Sequence, residues 1–201
     1  MSLEEMKEMI KAMTEEAKKV AYCGGMSPED YKIAKSAFPN GDLVAYPNHK
    51  ETYDAVISGE CEVAILPFEK SYSGELGNVI DILFEGDLVI NGVINLDTGS
   101  ETIRYAVLCK ELVELPEDSD GGFLFTFTVK DETGALAKAI NTISAHGFNM
   151  STMRSRKRKD LEWNYYFLAE ANGDCCSAEG KKMFEELDAA CESVKVLGHY
   201  A

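Results

Sequence analysis

Three short stretches of this chain gather residue types that can hold and activate a small ligand. After "KVAYC" come Gly24, Gly25 and Ser27. In "PFEKSYSGELGN", Glu69, Lys70, Ser71, Tyr72, Ser73 and Glu75 stand with two glycines, and in "TIRYAVL" Thr102 lies two residues before Arg104. So polar a loop as 69–75 reads either as a solvated turn or as the rim of a pocket. The chain carries 20 basic and 35 acidic side chains, a net charge of −15. Nonspecific attraction to nucleic acid or anionic lipid is therefore unfavourable, and a small anionic ligand needs a local basic site. The run "RSRKRK" is the only basic cluster. Arg154, Arg156 and Arg158 alternate onto one strand face, so the run is either a solvated hairpin end or a surface for the acidic face of a second subunit.

Cysteine and histidine offer less. Cys23, Cys61 and Cys109 fall in or beside apolar strand-like runs, and no CxxC pair occurs among these and Cys175, Cys176 and Cys191. They read as reduced, buried thiols, and a disulfide framework is not expected. His49, His146 and His199 are scattered without metal-ligand spacing, so no metal is expected either.

The elements that position these residues follow from periodicity. Leu3, Met6, Met9, Ile10, Met13 and Ala17 share one face of a pattern that predicts an N-terminal helix in residues 1–18. "KVAYC" predicts a strand ending in two glycines, and "SPEDYKIAKSAF" a helix with Ser27 as cap and Pro28 at its first position. "DLVAY" is a second strand, "NHKETYDAVISG" a helix capped by Asn48 and closed by Gly59, and "CEVAILPFE" a continuously apolar strand. This alternation predicts right-handed βαβ units and a parallel sheet covered on both faces. Ligands bind such sheets at the carboxyl ends of the strands, which directs attention to residues 24–27 and 69–75. "LGNVIDILF" predicts another helix, and "DLVINGVINL" and "TIRYAVLCKEL" two more strands, completing a lobe over 19–112.

Acidic "VELPEDSDGG", with Pro116, Gly121 and Gly122, predicts a linker over 113–122. Over 123–201 the order strand, helix, strand, strand, helix, strand is the ferredoxin-like split βαβ unit, and domains this small often pair with a copy of themselves. No apolar run approaches the roughly 20 residues needed to cross a bilayer. The acidic, amphipathic start is unlike a signal peptide, so a cytoplasmic location without membrane partners is expected. Met1-Ser2-Leu3 reads as a cloning scar, leaving room for natural chain before Glu4.

"KVAYCGG", "TYDAVISGECEVAILPFEKSYSGELGNVIDIL" and "TIRYAVL" together resemble the catalytic region of prephenate dehydratase. "GALAKAINTISAHGFNMSTMRSRKRKDLEWNYYFLAEANG", ending in "VKVLGHY", is similar to the regulatory ACT domain that follows it in that family. The resemblance implies a periplasmic-binding-protein-like lobe, of which this chain keeps one half, and conversion of prephenate to phenylpyruvate, water and CO2 on the route to phenylalanine, without a cofactor. It implies catalytic roles for Arg104 as a carboxylate anchor, Thr102 or Ser71 as donor to the departing hydroxyl, and Glu69 in shaping the loop. Gly24, Gly25, Ser27 and Lys70 are implied to bind substrate.

The family's Thr-Arg-Phe signature meets Ile103, Arg104 and Tyr105 here, with Thr102 one place upstream. Its Glu-Asn-Ser meets Glu69, Lys70 and Ser71, and its Gly-Pro-x-Gly-Thr loop meets "GGMSPED". Where the family inserts a second lobe, this chain passes through "DTGS" alone. In the ACT half, the family's Gly-Ala-Leu matches Gly134, Ala135 and Leu136. With Asn149, Ser155 and Arg156 these are the implied L-phenylalanine site at a homodimer interface. A non-catalytic amino-acid-sensing subunit is the alternative reading, and a chorismate mutase bundle upstream of Glu4 would make the chain the tail of a bifunctional enzyme.

Overall fold

In the computed structural model, the described residues are 19–25, 27–113, 121–157 and 165–200. The helix expected over 1–18, Met26, most of the linker and Arg158 lie outside them. None of the described helices is long and apolar enough to cross a membrane. The chain divides into two compact units, Met1–Val113 and Glu114–Ala201.

The first unit is built from β1 (Lys19–Cys23), α1 (Pro28–Ala37), β2 (Asp42–Tyr46), α2 (His49–Ile57), β3 (Val63–Lys70), β4 (Gly74–Glu75), α3 (Gly77–Glu85), β5 (Val89–Asp97) and β6 (Thr102–Cys109). Each cap has a side-chain cause. Ser27 Oγ accepts from the N–H of Glu29, and Pro28 opens α1, where its missing N–H costs nothing. Asn48 accepts from the N–H of Glu51 at 2.9 Å and donates back to its carboxylate at 2.8 Å, a reciprocal cap on α2.

Sheet order is β2-β1-β3-β6-β5, with β4 paired to β3. β1 runs parallel to β2 and β3, as the βα alternation predicts. β6 is antiparallel to both β3 and β5. The residues linking β5 to β6 are too few for a parallel crossover and close instead as a hairpin turn. There Thr98 N–H and Oγ1–H both donate to the carbonyl of Glu101, and Gly99 adopts φ +82°. Residues 69–75, read from sequence as one loop, instead extend β3 to Lys70 and return as β4. On one face, Ile33 and Ala34 of α1 and Phe38 at its C-cap pack with Val20, Val63, Ile65, Ile103, Tyr105 and Val107 of the strands.

The second unit follows the predicted order: β7 (Gly122–Thr128), α4 (Ala135–Ala145), β8 (Met150–Lys157), β9 (Tyr165–Asn172), α5 (Ala178–Ala190) and β10 (Ser193–Tyr200). Its strands pair antiparallel in the order β10-β7-β9-β8. Phe123, Phe125 and Phe127 alternate onto the helix-facing side and pack with Ala139, Ile143, Met183 and Leu187, with Phe184 edge-on to the first two rings. Such offset and edge contacts add to the area these rings bury.

Candidate functional site at the carboxyl edge of the first sheet

The carboxyl ends of β1 and β3 and the start of β6 meet at one edge of the first sheet. A bulge at Phe68 sets the register there, so that Glu69 lies opposite Arg104 and Lys70 opposite Ile103. Arg104 Nη1 donates to Glu69 Oε2 at 2.7 Å, and its guanidinium sits 4.9 Å from the centre of the Phe68 ring. Lys70 donates to Glu101 at 3.2 Å. Alternation sends these two cations to opposite faces. Ile103 and Tyr105 enter the core beneath α1, so Arg104 between them faces away, whereas Lys70 shares their side and its charge acts on Glu29 and Asp30. Arg104 and Glu69 remain 22% and 25% exposed, so the pair contributes little stability but holds a planar, twin-donor cation in place. An incoming carboxylate can take the place of Glu69.

Ser71 and Thr102 are tied to each other through the backbone. The Ser71 N–H donates to the Thr102 carbonyl at 2.9 Å, and the Thr102 N–H to Ser71 Oγ at 3.0 Å. Gly24 and Gly25 lead from β1 towards α1 in close contact with the end of β2. A Cβ on either would lie 2.7 Å from an atom of that segment, Ala45 Cβ for the first and the Pro47 carbonyl oxygen for the second. Ser27 also donates to Glu29, whose carboxyl it holds below the usual range.

Beside these predicted residues lies a pair that sequence reasoning missed. Asp30, in the first turn of α1, is 2% exposed and its Oδ1 accepts from the Tyr105 hydroxyl at 2.9 Å. Its Oδ2 is buried and finds no hydrogen-bond partner among the described residues. Burial pushes the Asp30 carboxyl up to about 6, against the Tyr105 hydrogen bond and the Lys70 charge, which pull it down. Tyr105 itself is pushed well above the usual phenol range by burial and by this carboxylate. The edge thus offers a paired arginine, two tethered hydroxyl residues and a carboxyl whose titration is raised towards neutrality.

Residues 20–108 match the prephenate dehydratase family model. The bifunctional chorismate mutase/prephenate dehydratase of Aquifex aeolicus is 35% identical over 104 residues, 52% of this chain. The matched segment spans only 28% of that relative's length. The X-ray structure of prephenate dehydratase from Streptococcus mutans is 29% identical with a TM-score of 0.80, covering 91% of this chain and 97% of that one. A prephenate dehydratase from Arthrobacter aurescens, solved in complex with L-Phe, shares the fold at 14% identity and a TM-score of 0.76, covering 91% and 89% of the two chains.

In the segment that matches the prephenate dehydratase model, the position of that family's signature threonine is filled by Ile103, 4% exposed and part of the core. The β5–β6 register runs without a shift from the Asp97–Thr102 pair to the Ile94–Tyr105 pair. No bulge turns Thr102 over, so it shares a face with Arg104.

The residues expected to hold an effector are dispersed over the second unit. Gly134 caps α4 with φ +87°, and Ala135 and Leu136, half-buried, form the helix's first turn. Asn149 is exposed just before β8, its carbonyl accepting from the Asn172 N–H at 3.0 Å. Ser155 lies opposite Phe167, on the helix-facing side of the sheet, and is exposed. Arg156 falls on the other side, where its Nε donates to the Tyr166 hydroxyl at 3.0 Å.

Proposed function

We propose that the first unit binds prephenate and promotes its decarboxylation with loss of the ring hydroxyl, yielding phenylpyruvate, water and CO2. The second unit is then an ACT domain that binds L-phenylalanine and pairs with a second copy of the chain. One observation carries this reading: in a segment matching prephenate dehydratase, Arg104, Glu69, Ser71 and Thr102 gather at the carboxyl edge of the sheet. Arg104 offers two parallel donors to a substrate carboxylate in place of Glu69. The hydroxyl of Thr102 or Ser71 donates to the leaving oxygen as charge develops there, and Lys70 supplies positive potential from the opposite face. Gly24 and Gly25, with Ser27 after them, let backbone approach the ligand closely.

Phenylpyruvate formed from prephenate above an uncatalysed blank is the test. Arg104→Ala is expected to lower kcat/KM by roughly 100-fold or more, and unchanged turnover in that variant would rule the assignment out.

A non-catalytic amino-acid sensor is the second reading, favoured by the burial of Ile103 at the position of the family's threonine. A folded sample that binds an amino acid and leaves prephenate untouched selects it.

A further inference from the structure

We propose that Asp174, Cys175, Cys176 and His199 form a site for a thiophilic divalent cation, Zn2+ being the ion this donor set fits. Two sulfurs, an imidazole nitrogen and a carboxylate oxygen lie within 4.8 Å of one another. Cys175 Sγ and Cys176 Sγ are 3.9 Å apart, and His199 Nδ1 is 3.5 Å from the first and 3.8 Å from the second. A tetrahedral zinc ion, with bonds of about 2.3 Å to sulfur and about 2.0 Å to nitrogen, separates such ligands by roughly 3.5 to 3.8 Å. The three separations already match those edges to within a few tenths of an ångström, with the fourth vertex left to Asp174. Two thiols with an imidazole also select against calcium and magnesium, which take oxygen ligands.

The turn that carries three of these groups is held from several directions. Asp174 Oδ1 accepts from the Cys176 N–H at 2.7 Å, and its carboxylate keeps further lone pairs for an ion. Ser177, the cap of α5, donates to the Asp174 carbonyl at 2.8 Å and accepts from the Gly180 N–H at 3.0 Å. A Cβ at Gly180 would lie 2.6 Å from the carbonyl oxygens of Asp174 and Cys175, so only glycine lets α5 press onto the turn. His199 comes from β10 and is fully buried, Cys175 is nearly so, and Asp174 and Cys176 are half-buried, giving an ion a way in. With all four ligands drawn from protein, the ion would fasten the β9–α5 turn to the closing strand as a structural clamp rather than hold substrate.

Cobalt(II) is the probe, added to the reduced, metal-stripped full chain and then displaced with Zn2+. One equivalent per chain is expected, with the intense visible bands of tetrahedral cobalt and a near-ultraviolet thiolate-to-metal band. Cys176→Ser, at the half-buried position, is expected to fold as the wild type does, to bind roughly 100-fold more weakly and to show about half the band intensity at saturation, from Cys175 alone. Cys191→Ser should change neither. If reduced wild-type protein shows no thiolate-to-cobalt band, or if the band and the affinity are undiminished in Cys176→Ser, the site does not exist as described. Recovery of the adjacent cysteines as a disulfide whose reduction restores no metal uptake would overturn it equally.

Discussion

Asp30 is costly to bury, because its carboxylate is enclosed with only one of its two oxygens hydrogen-bonded among the described residues. Its folded pKa, about 6 against an ordinary 3.8, lies above its value in the unfolded chain. The folded form therefore binds this proton more tightly, and stability is greatest below about pH 4 and lost as pH rises through 6. The shift corresponds to about 3 kcal/mol at neutral pH. Asp30→Asn keeps an acceptor for Tyr105 without the charge. In urea unfolding it should match the wild type near pH 4 and exceed its stability near pH 7; a constant difference across that range would show that Asp30 is not the titrating group. That Arg104 and Thr102 share a strand face follows from their two-residue spacing, whereas Asp30 reads in sequence only as an acid favouring a helix start, since its partner lies 75 residues away. The same distance problem hides Cys175, Cys176 and His199, whose spacing matches no metal motif until β10 folds beside the turn.

At the scale of elements, His146 links the two helices of the second unit. It caps α4, and its ring nitrogens reach Glu179 at 2.6 Å and Glu186 at 3.1 Å, both on α5. Hydrogen bonds to Glu179 and then Glu186 raise the imidazole above its ordinary value. A raised histidine contributes its stability in full below the unfolded value, near 6.5, and loses it as pH climbs through the folded one. His146→Gln should lower the melting temperature more at about pH 6 than at about pH 9, and equal losses at both would remove the charge from the explanation. Element order was readable because strand and helix periods, caps and glycine turns agree locally along the chain. Strand direction was less so. Alternating β and α segments argue for parallel pairing, yet the short link between β5 and β6 reverses the chain, and β6, with Arg104, enters the sheet against its neighbours.

For the molecule as a whole, the proposed division of labour makes amino-acid binding a property of the second unit, centred on the left-handed turn at Gly134. Calorimetry with the full chain should give heat on adding L-phenylalanine. Gly134→Val, strained at φ +87°, should weaken that binding by roughly tenfold or more while the protein still melts cooperatively. Binding of a different amino acid, with none of L-phenylalanine, would reassign the effector. The turn between β5 and β6 carries a consequence for how this sheet can accept an insertion. Asp97 and Thr102 are register partners across the sheet, and the residues between them are largely exposed. Lengthening a loop whose ends are already pinned costs little closure entropy, about 0.6 kcal/mol per doubling of its length. A whole domain with neighbouring termini can therefore be spliced in at Gly99 without re-registering a single strand pair.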